Sequence, residues 1–542
     1  MALNNTAAQL ELEQIQNFKG KYPKQLWYLF FSEMWERFCF YGMRGVLTYF
    51  MITHLILKDG SHMGEVQANL QYGATQAFVY AFTFIGGLFA DKILGFRKSL
   101  FWGGMLMIVG SAILAFDPFP ESNFFLGISF TVIGTGFFKP NISTMVGSLY
   151  KNGDSRRDAG FSLFYSGINI GALLGGYACI AIGKGQLFTG FIPAEYTWNV
   201  AFGLAGIVMA ISLVTFIFTQ KTLGPIGLPP MRTGTAKIPH AEGFETLTPD
   251  AAHVAVEVKT GKSWYEYAVY ALTLLLIPVI MTMVAKTEYT DYFMYIIGPA
   301  TLVYLGYEMT KHTWAESKKL IAALVFILFS IIFWAFFEQS GGSLSIFAAK
   351  NLNSEFLGLW TLDPNGVNNA ANSVFVIIFA PIAGLIWVLM AAKKIEPNTV
   401  VKFGLGFLFL AAGFYGLYAT RFFEVVAGSG IVGLDVFVLA YFVITLGELC
   451  LSPIGLSIMT KLSPQKLQGV MMGMWFLASA YGQYAAGILG AGLSEGGEND
   501  SLPQKLATFT DGYYQLAIYA LIAGIVLIVI SPLVRKLMQE VK

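Results

Sequence analysis

The chain has 542 residues, of which 55% are hydrophobic, 15% aromatic and only 12% charged, about half the charged share of an ordinary soluble domain. This excludes a disordered chain, a collagen repeat and a basic nucleic-acid binder, and 34 basic against 33 acidic residues leave no net field for an anionic partner. If a bilayer-crossing helix takes about 21 residues, fourteen of them use roughly 300 and leave loops and one longer insertion.

In chain order, the first residues, through Asn5, Glu11, Glu13 and Lys24, lack the basic start and short apolar core of a cleaved signal, so the first span is expected to be retained. Apolar runs follow at about 26–55, 74–90, 98–116, 123–150, 158–182 and 197–218. The segment from Lys221 to Lys262, with its Gly224-Pro-Ile-Gly-Leu-Pro-Pro230 run, reads as a flexible linker. Two further runs lie at about 265–285 and 289–310, and six more at about 320–340, 370–391, 403–420, 431–459, 469–492 and 512–534. The expected fold is an all-α integral membrane protein with two six-helix halves, 1–218 and 320–542, around an inserted linker and helix pair at 219–319. A short internal echo, Phe82-Thr-Phe-Ile-Gly-Gly-Leu88 against Phe379-Ala-Pro-Ile-Ala-Gly-Leu385, falls at equivalent places in the two halves. Cys39, Cys179 and Cys450 all sit in apolar runs and imply neither disulfide nor metal chemistry.

Basic residues orient the spans. With both termini placed in the cytoplasm, twenty Lys and Arg fall on inner segments and six on outer loops, which is the bias of a cytoplasmic membrane protein. The linker takes five, and three remain inside the spans: Arg37, Arg44 and Lys139.

An ionisable group at the bilayer centre costs about 3 kcal/mol or more, so each should face a cavity or a partner. The first span holds four, Glu33, Glu36, Arg37 and Arg44, within an arc of about 100°. Lys139 in the fourth span, Glu338 in the seventh and Glu448 in the tenth bring the set to four acids and three bases drawn from both halves. Two readings are open, a structural ion cluster or a shared central site. At 1.5 Å rise per residue, Arg44 and Glu338 each lie about 27 Å from the cytoplasmic side, and Glu33 and Lys139 share a level nearer to it; these are the expected pairs.

Glu33-Met-Trp-Glu36-Arg37-Phe-Cys-Phe40-Tyr41-Gly42 resembles the first-helix ExxERFxYY motif of the proton-dependent oligopeptide transporter family of the major facilitator superfamily. Gly86-Gly87-Leu-Phe-Ala-Asp91, Phe138-Lys139-Pro140-Asn141, Phe164-Tyr165-Ser-Gly-Ile-Asn169-Ile-Gly171, Phe333-Trp334-Ala-Phe-Phe-Glu338-Gln339, Asn372-Ser-Val-Phe, Gly447-Glu448-Leu-Cys-Leu-Ser452-Pro453 and Gly473-Met-Trp475-Phe476 extend the likeness across both halves. The resemblance implies a proton-coupled symporter that imports di- and tripeptides by alternating access, without a cofactor, working as a monomer, with the inserted helix pair of bacterial members.

On that reading Arg37 and Lys139 would hold the peptide carboxylate, and Glu448 its ammonium with amide contacts from Asn169 and Asn372. Tyr41, Tyr80, Trp334 and Trp475 would line side-chain pockets, although each is equally an ordinary packing aromatic. Glu33, Glu36 and Glu338 would couple protons, and Arg44 with Glu338 would form a gate. Phe40 replaces the first tyrosine of the family motif, and the five histidines lie at helix ends or in loops, which points to carboxylate rather than histidine coupling. Asp91, Lys92 and Gly95 belong to a loop pattern of the superfamily and would form a conformational latch. A same-fold carrier of nitrate or of an amino-acid derivative is the alternative.

Overall fold

The computed structural model describes residues 2–116, 121–151, 154, 156–229, 264–451, 455–464, 467–495 and 500–539. Its helices are α1 (Ala2–Gln16), α2 (Lys24–Thr53), α3 (Glu65–Phe89), α4 (Phe96–Phe116), α5 (Glu121–Ser148), α6 (Arg156–Gly183) and α7 (Thr197–Thr219), then α8 (Trp264–Ala285) and α9 (Thr287–Met309). The remainder are α10 (Trp314–Phe337), α11 (Ser343–Asn351), α12 (Pro364–Ala392), α13 (Thr399–Ala419), α14 (Glu424–Ser429), α15 (Leu434–Leu451), α16 (Gly455–Leu462), α17 (Gln468–Leu493) and α18 (Leu502–Met538). Strands are limited, among the described residues, to the two-residue pair Glu355–Phe356 and Trp360–Thr361.

Fourteen of the described helices have 18 residues or more, and ten helical runs contain a stretch apolar enough to cross a membrane. The four that fall short are α2, α5, α9 and α17. Two of them, α2 and α5, carry Glu33, Glu36, Arg37, Arg44 and Lys139, so their polarity marks what they line rather than where they lie.

Buried apolar side chains form one large cluster running from Leu26 to Val284 and another from Leu305 to Met538. The first belongs to α2–α8 and the second, apart from Leu305, to α10–α18. The two groups meet mainly where α3 packs on α17 and α6 on α12. At the first seam Gly73 faces Gly487 so closely that a Cβ on Gly73 would stand 2.6 Å from the Gly487 Cα. Backbone thus meets backbone, the approach that small residues permit between membrane helices.

The α8–α9 hairpin lies across that seam and is fastened to both groups. On one side Lys98 Nζ bonds both Glu266 oxygens at 2.9 and 2.7 Å, Trp102 Nε1 donates to Thr273 Oγ1 at 3.0 Å, and Gln71 Nε2 donates to the Ala285 carbonyl at 3.1 Å. On the other, Tyr484 donates to Asp291 and Tyr481 to the Met294 carbonyl.

Several elements differ from the expectation. The N-terminal residues form α1, whose Leu12 and Ile15 pack on the first cluster and whose last residue, Gln16, donates to the Ser148 carbonyl at 3.1 Å; the polar composition concealed it. The second span starts nine residues early, at Glu65, because its polar first turns are buried and bonded: Asn69 Nδ2 donates to Glu65 O at 2.9 Å and to Ser494 Oγ at 3.1 Å. The seventh span breaks. A 3-10 turn, Glu338–Gly341, separates α10 from α11.

The start of the expected flexible linker is clamped instead: Arg97 Nε donates to the Ile226 carbonyl at 2.7 Å, its guanidinium also reaches the Gly224 carbonyl, and Arg97 N bonds Gly227 O at 3.0 Å. Residues 230–263 of that linker, and Ser452 and Pro453 of the tenth-span motif, lie outside the described residues. Ahead of α4, Asp91 and Lys92 sit in a π-helical turn, Ala90–Leu94, closed by Gly95 at φ +74°.

Candidate functional site

The site begins on α2, whose buried face carries three charges within one helical turn. Arg37 Nε lies 2.8 Å from Glu33 Oε1 and 2.8 Å from Glu36 Oε2, and the three side chains are 2%, 1% and 0% exposed. A spacing of four stacks Glu33 one turn from the guanidinium, while the adjacent Glu36 meets it by the turn of its own side chain. The triad is not saturated. Arg37 Nη2, Glu33 Oε2 and both Glu36 oxygens make no hydrogen bond within the described residues, which leaves a buried donor and buried acceptors for another polar group.

The expected pairing of Glu33 with Lys139 is not what the structure holds. Glu33 pairs with Arg37 on its own helix, and Lys139 Nζ stands 4.4 Å from the centroid of the Tyr80 ring, a cation–π contact between α5 and α3. Equal depth set a common level, but the closer neighbour one turn along α2 took the carboxylate.

Two turns beyond Glu36, Arg44 reaches across to the other helix group. Its Nη2 pairs with Glu338 Oε2 and its Nε donates to Tyr72 Oη at 2.7 Å; Tyr41 lies under the guanidinium at 5.6 Å. Glu338 is held at the head of the 3-10 turn that interrupts α10, and Thr48, one turn past Arg44, donates to the Gly341 carbonyl that the break releases. A broken helix end supplies free backbone acceptors inside a membrane protein.

The remaining acid, Glu448 on α15, has no basic partner among the described residues and accepts from Asn372 Nδ2 on α12 at 2.7 Å. Asn169, expected beside Asn372, donates instead to Tyr165 O on its own helix at 2.9 Å. The four aromatics do not form a single pocket wall. Tyr41 packs on the first cluster, Tyr80 sits with Ala77 and Ala480, Trp334 lies against Phe333 and Phe337, and Trp475 is 8% exposed inside the second cluster.

Among the described residues three ion pairs tie the two helix groups, and all lie toward the face opposite the chain termini: Arg44–Glu338, Lys184–Asp363 at 2.9 Å, and Lys350–Glu65. Lys184 also donates to Asn365 Oδ1 at 2.6 Å, and Gln186 Nε2 to Asp363 at 3.0 Å. The Lys184 and Lys350 pairs, Tyr72 and Thr48 were not singled out in the sequence. The lysines sit in loops or short helices, where a lone charge carries no signal. No group of three or more His, Cys, Asp or Glu among the described residues could hold a metal ion.

Relatives agree with this architecture. The chain is 32% identical to the peptide transporter YePEPT of Yersinia enterocolitica over 523 residues, 96% of each chain. It is 31% identical to a di-/tripeptide transporter of Lactococcus lactis over 532 residues, 96% of this chain and 97% of that one. Its fold superposes on a crystal structure of a mutant peptide transporter POT in complex with alafosfalin, with TM-score 0.77, 30% identity and 98% and 99% of the two chains covered. It also superposes on tetrameric PepTSo2, with TM-score 0.77, 25% identity and 95% and 99% covered. A sequence model described as the POT family matches residues 97–499. A multi-pass helical membrane protein with in-span charges on α2, α5, α10 and α15, matched from end to end by these transporters, this chain belongs to the POT family.

Proposed function

We propose that the chain imports di- and tripeptides together with protons across the cytoplasmic membrane, with both termini inside and residues 1–218 and 320–542 rocking about a central site. As a member of this family it is a transporter and not an enzyme. The observation that supports the peptide reading is that both helix groups keep polar atoms free for a zwitterion: Arg37 Nη2 and Lys139 on α2 and α5, and on α15 the acid Glu448, whose partner is an amide rather than a base. An extended di- or tripeptide is a zwitterion with termini roughly 7–11 Å apart. Arg37 Nη2 and Lys139 take its carboxylate, and Glu448 with Asn372 takes its ammonium. Asn169 keeps its Oδ1 as an acceptor for this end while Nδ2 stays on the Tyr165 carbonyl.

Charge counting supports proton coupling. The four in-span acids exceed the three bases by one, and a zwitterionic peptide adds no net charge. Closing the loaded site off from water on both sides therefore leaves one negative charge uncompensated, and one proton removes it. In the gate, a proton on Glu338 dissolves its ion pair with Arg44 and frees the face opposite the termini to open. Peptide binding then allows it to reclose, the proton passing from Glu338 to another of the in-span acids as the Arg44 pair re-forms. Glu33 and Glu36 exchange partners around Arg37 in the same way. Tyr41, Tyr80, Trp334 and Trp475 border the path of peptide side chains. A proton gradient is the energy source of this cycle, and the proposed unit of transport is the single chain.

The test is uptake of labelled dialanine by proteoliposomes with an inward acid gradient, for wild type, Glu338→Gln and Lys139→Ala. Wild type accumulates peptide uphill. Glu338→Gln exchanges peptide for peptide but does not accumulate it, and Lys139→Ala raises KM about tenfold or more. Uphill uptake by Glu338→Gln removes that acid from coupling, and transport of nitrate with no uptake of dipeptide overturns the cargo.

A further inference from the structure

On the face that carries the termini, the chain shapes a recess of about 530 Å³ that peptide transport does not use. It lies where α1 crosses the start of α2 and the turn after α7, and Gln25 Nε2 closes it by donating to the Thr222 carbonyl at 3.0 Å. Its charged lining is Lys19, Lys24 and Lys221 against the single acid Glu11, and none of the three lysines takes part in an ion pair with a described residue. Phe18 and Tyr22 form its aromatic wall, and the Tyr22 ring meets Trp27 edge-on at 6.3 Å.

Helical spacing connects this recess to the lipid. Lys24, Trp27 and Phe31 follow one another at three and four residues along one face of α2, and on α7 Val214 and Phe218 share a face that leads to Lys221 in the 3-10 turn Gln220–Leu223 directly after it. Trp27, Phe31, Val214 and Phe218 are all exposed, and α2 packs directly beside α7. Two apolar rails thus run down the lipid-facing surface and end at a basic recess at the level where headgroups lie.

We propose that this recess binds the phosphate headgroup of an anionic phospholipid, with its acyl chains lying along the Trp27–Phe31 and Phe218–Val214 rails. The chemistry is that of a phosphate diester held by Lys19, Lys24 and Lys221. A soluble phosphate would satisfy the lysines but not the rails, and the rails decide for lipid.

Native mass spectrometry and thermal unfolding of the full-length protein in detergent test this with dioleoylphosphatidylglycerol, dioleoylphosphatidylcholine and glycerol 3-phosphate. Phosphatidylglycerol is expected to remain bound and raise the unfolding midpoint, and the other two to do neither to that extent. Lys19→Gln/Lys24→Gln/Lys221→Gln is expected to lose at least tenfold in phosphatidylglycerol affinity, while Lys393→Gln/Lys394→Gln keeps it. Trp27→Ala/Phe218→Ala weakens the lipid without changing the response to glycerol 3-phosphate; it also stands as the deciding variant should the lysine variant fail to fold. Wild-type affinity in the lysine and rail variants, or equal retention of phosphatidylcholine, overturns the proposal. Full protection by glycerol 3-phosphate alone makes the recess a soluble-phosphate site and overturns the lipid assignment.

Discussion

Arg37 touches two carboxylates with one nitrogen, and that sharing makes its loss more damaging than the loss of either acid. Arg37→Ala leaves Glu33 and Glu36 buried side by side with no adjacent cation, a change worth about 3–5 kcal/mol. The expected result is a large fall in the thermal unfolding midpoint, partly restored by adding Glu33→Gln. Asn372 is the opposite case. Its bond at 2.7 Å orients Glu448, with a longer one to Thr445 Oγ1 at 3.4 Å, and a hydrogen bond to a charged group is worth about 1.5–3 kcal/mol. Asn372→Ala should therefore raise the KM for dipeptide about tenfold with a much smaller change in kcat, measured by initial uptake rates. These in-span charges were legible because each interrupts an otherwise apolar run. Depth arithmetic placed Arg44 and Glu338 at one level, and the side chains meet. It failed for Glu33 and Lys139 because rise per residue says nothing about azimuth or about a nearer partner on the same helix.

Among the elements, the interruption of α10 matters most and was least visible. Gly341 and Gly342 in a membrane helix read as ordinary packing glycines, yet Gly341 sits where a Cβ would overlap the Tyr72 hydroxyl at 1.9 Å. Gly341→Ala must push Tyr72 away from Arg44 and so loosen the gate pair. Overpacking of this kind costs about 1–3 kcal/mol, and the variant should show slower uptake and a lower unfolding midpoint than wild type. Gly95 offers a contrast at the surface. It combines φ +74° with a Cβ position 2.5 Å from Pro229 N, so Gly95→Ala adds about 1–2 kcal/mol of backbone strain to a clash and should reduce folded yield while leaving the KM for peptide unchanged. Long spans were readable from periodicity and charge placement. The early start of α3 was not, because buried Asn69 and Gln71 look like loop residues until their partners on other elements are known.

For the whole molecule, the three cross-group ion pairs describe a conformation closed on the face opposite the termini. Lys184 and Lys350 are only partly exposed, and pairs of that kind contribute on the order of 1 kcal/mol each. Lys184→Gln/Lys350→Gln should accordingly move the population toward opening on that face by roughly thirtyfold, read as longer spin-label distances between the loops near Ser61 and Asn353. On that same side Gly73 of α3 and Gly487 of α17 bring the two helix groups into backbone contact. Interlocked side chains would hold α3 and α17 in ridge-and-groove register and let them shift only in discrete steps. Bare backbone has no teeth, so at this one contact nothing fixes the register of the two helices, and their fit is set instead by neighbours such as Asn69 against Ser494 and Phe84 against Gly473.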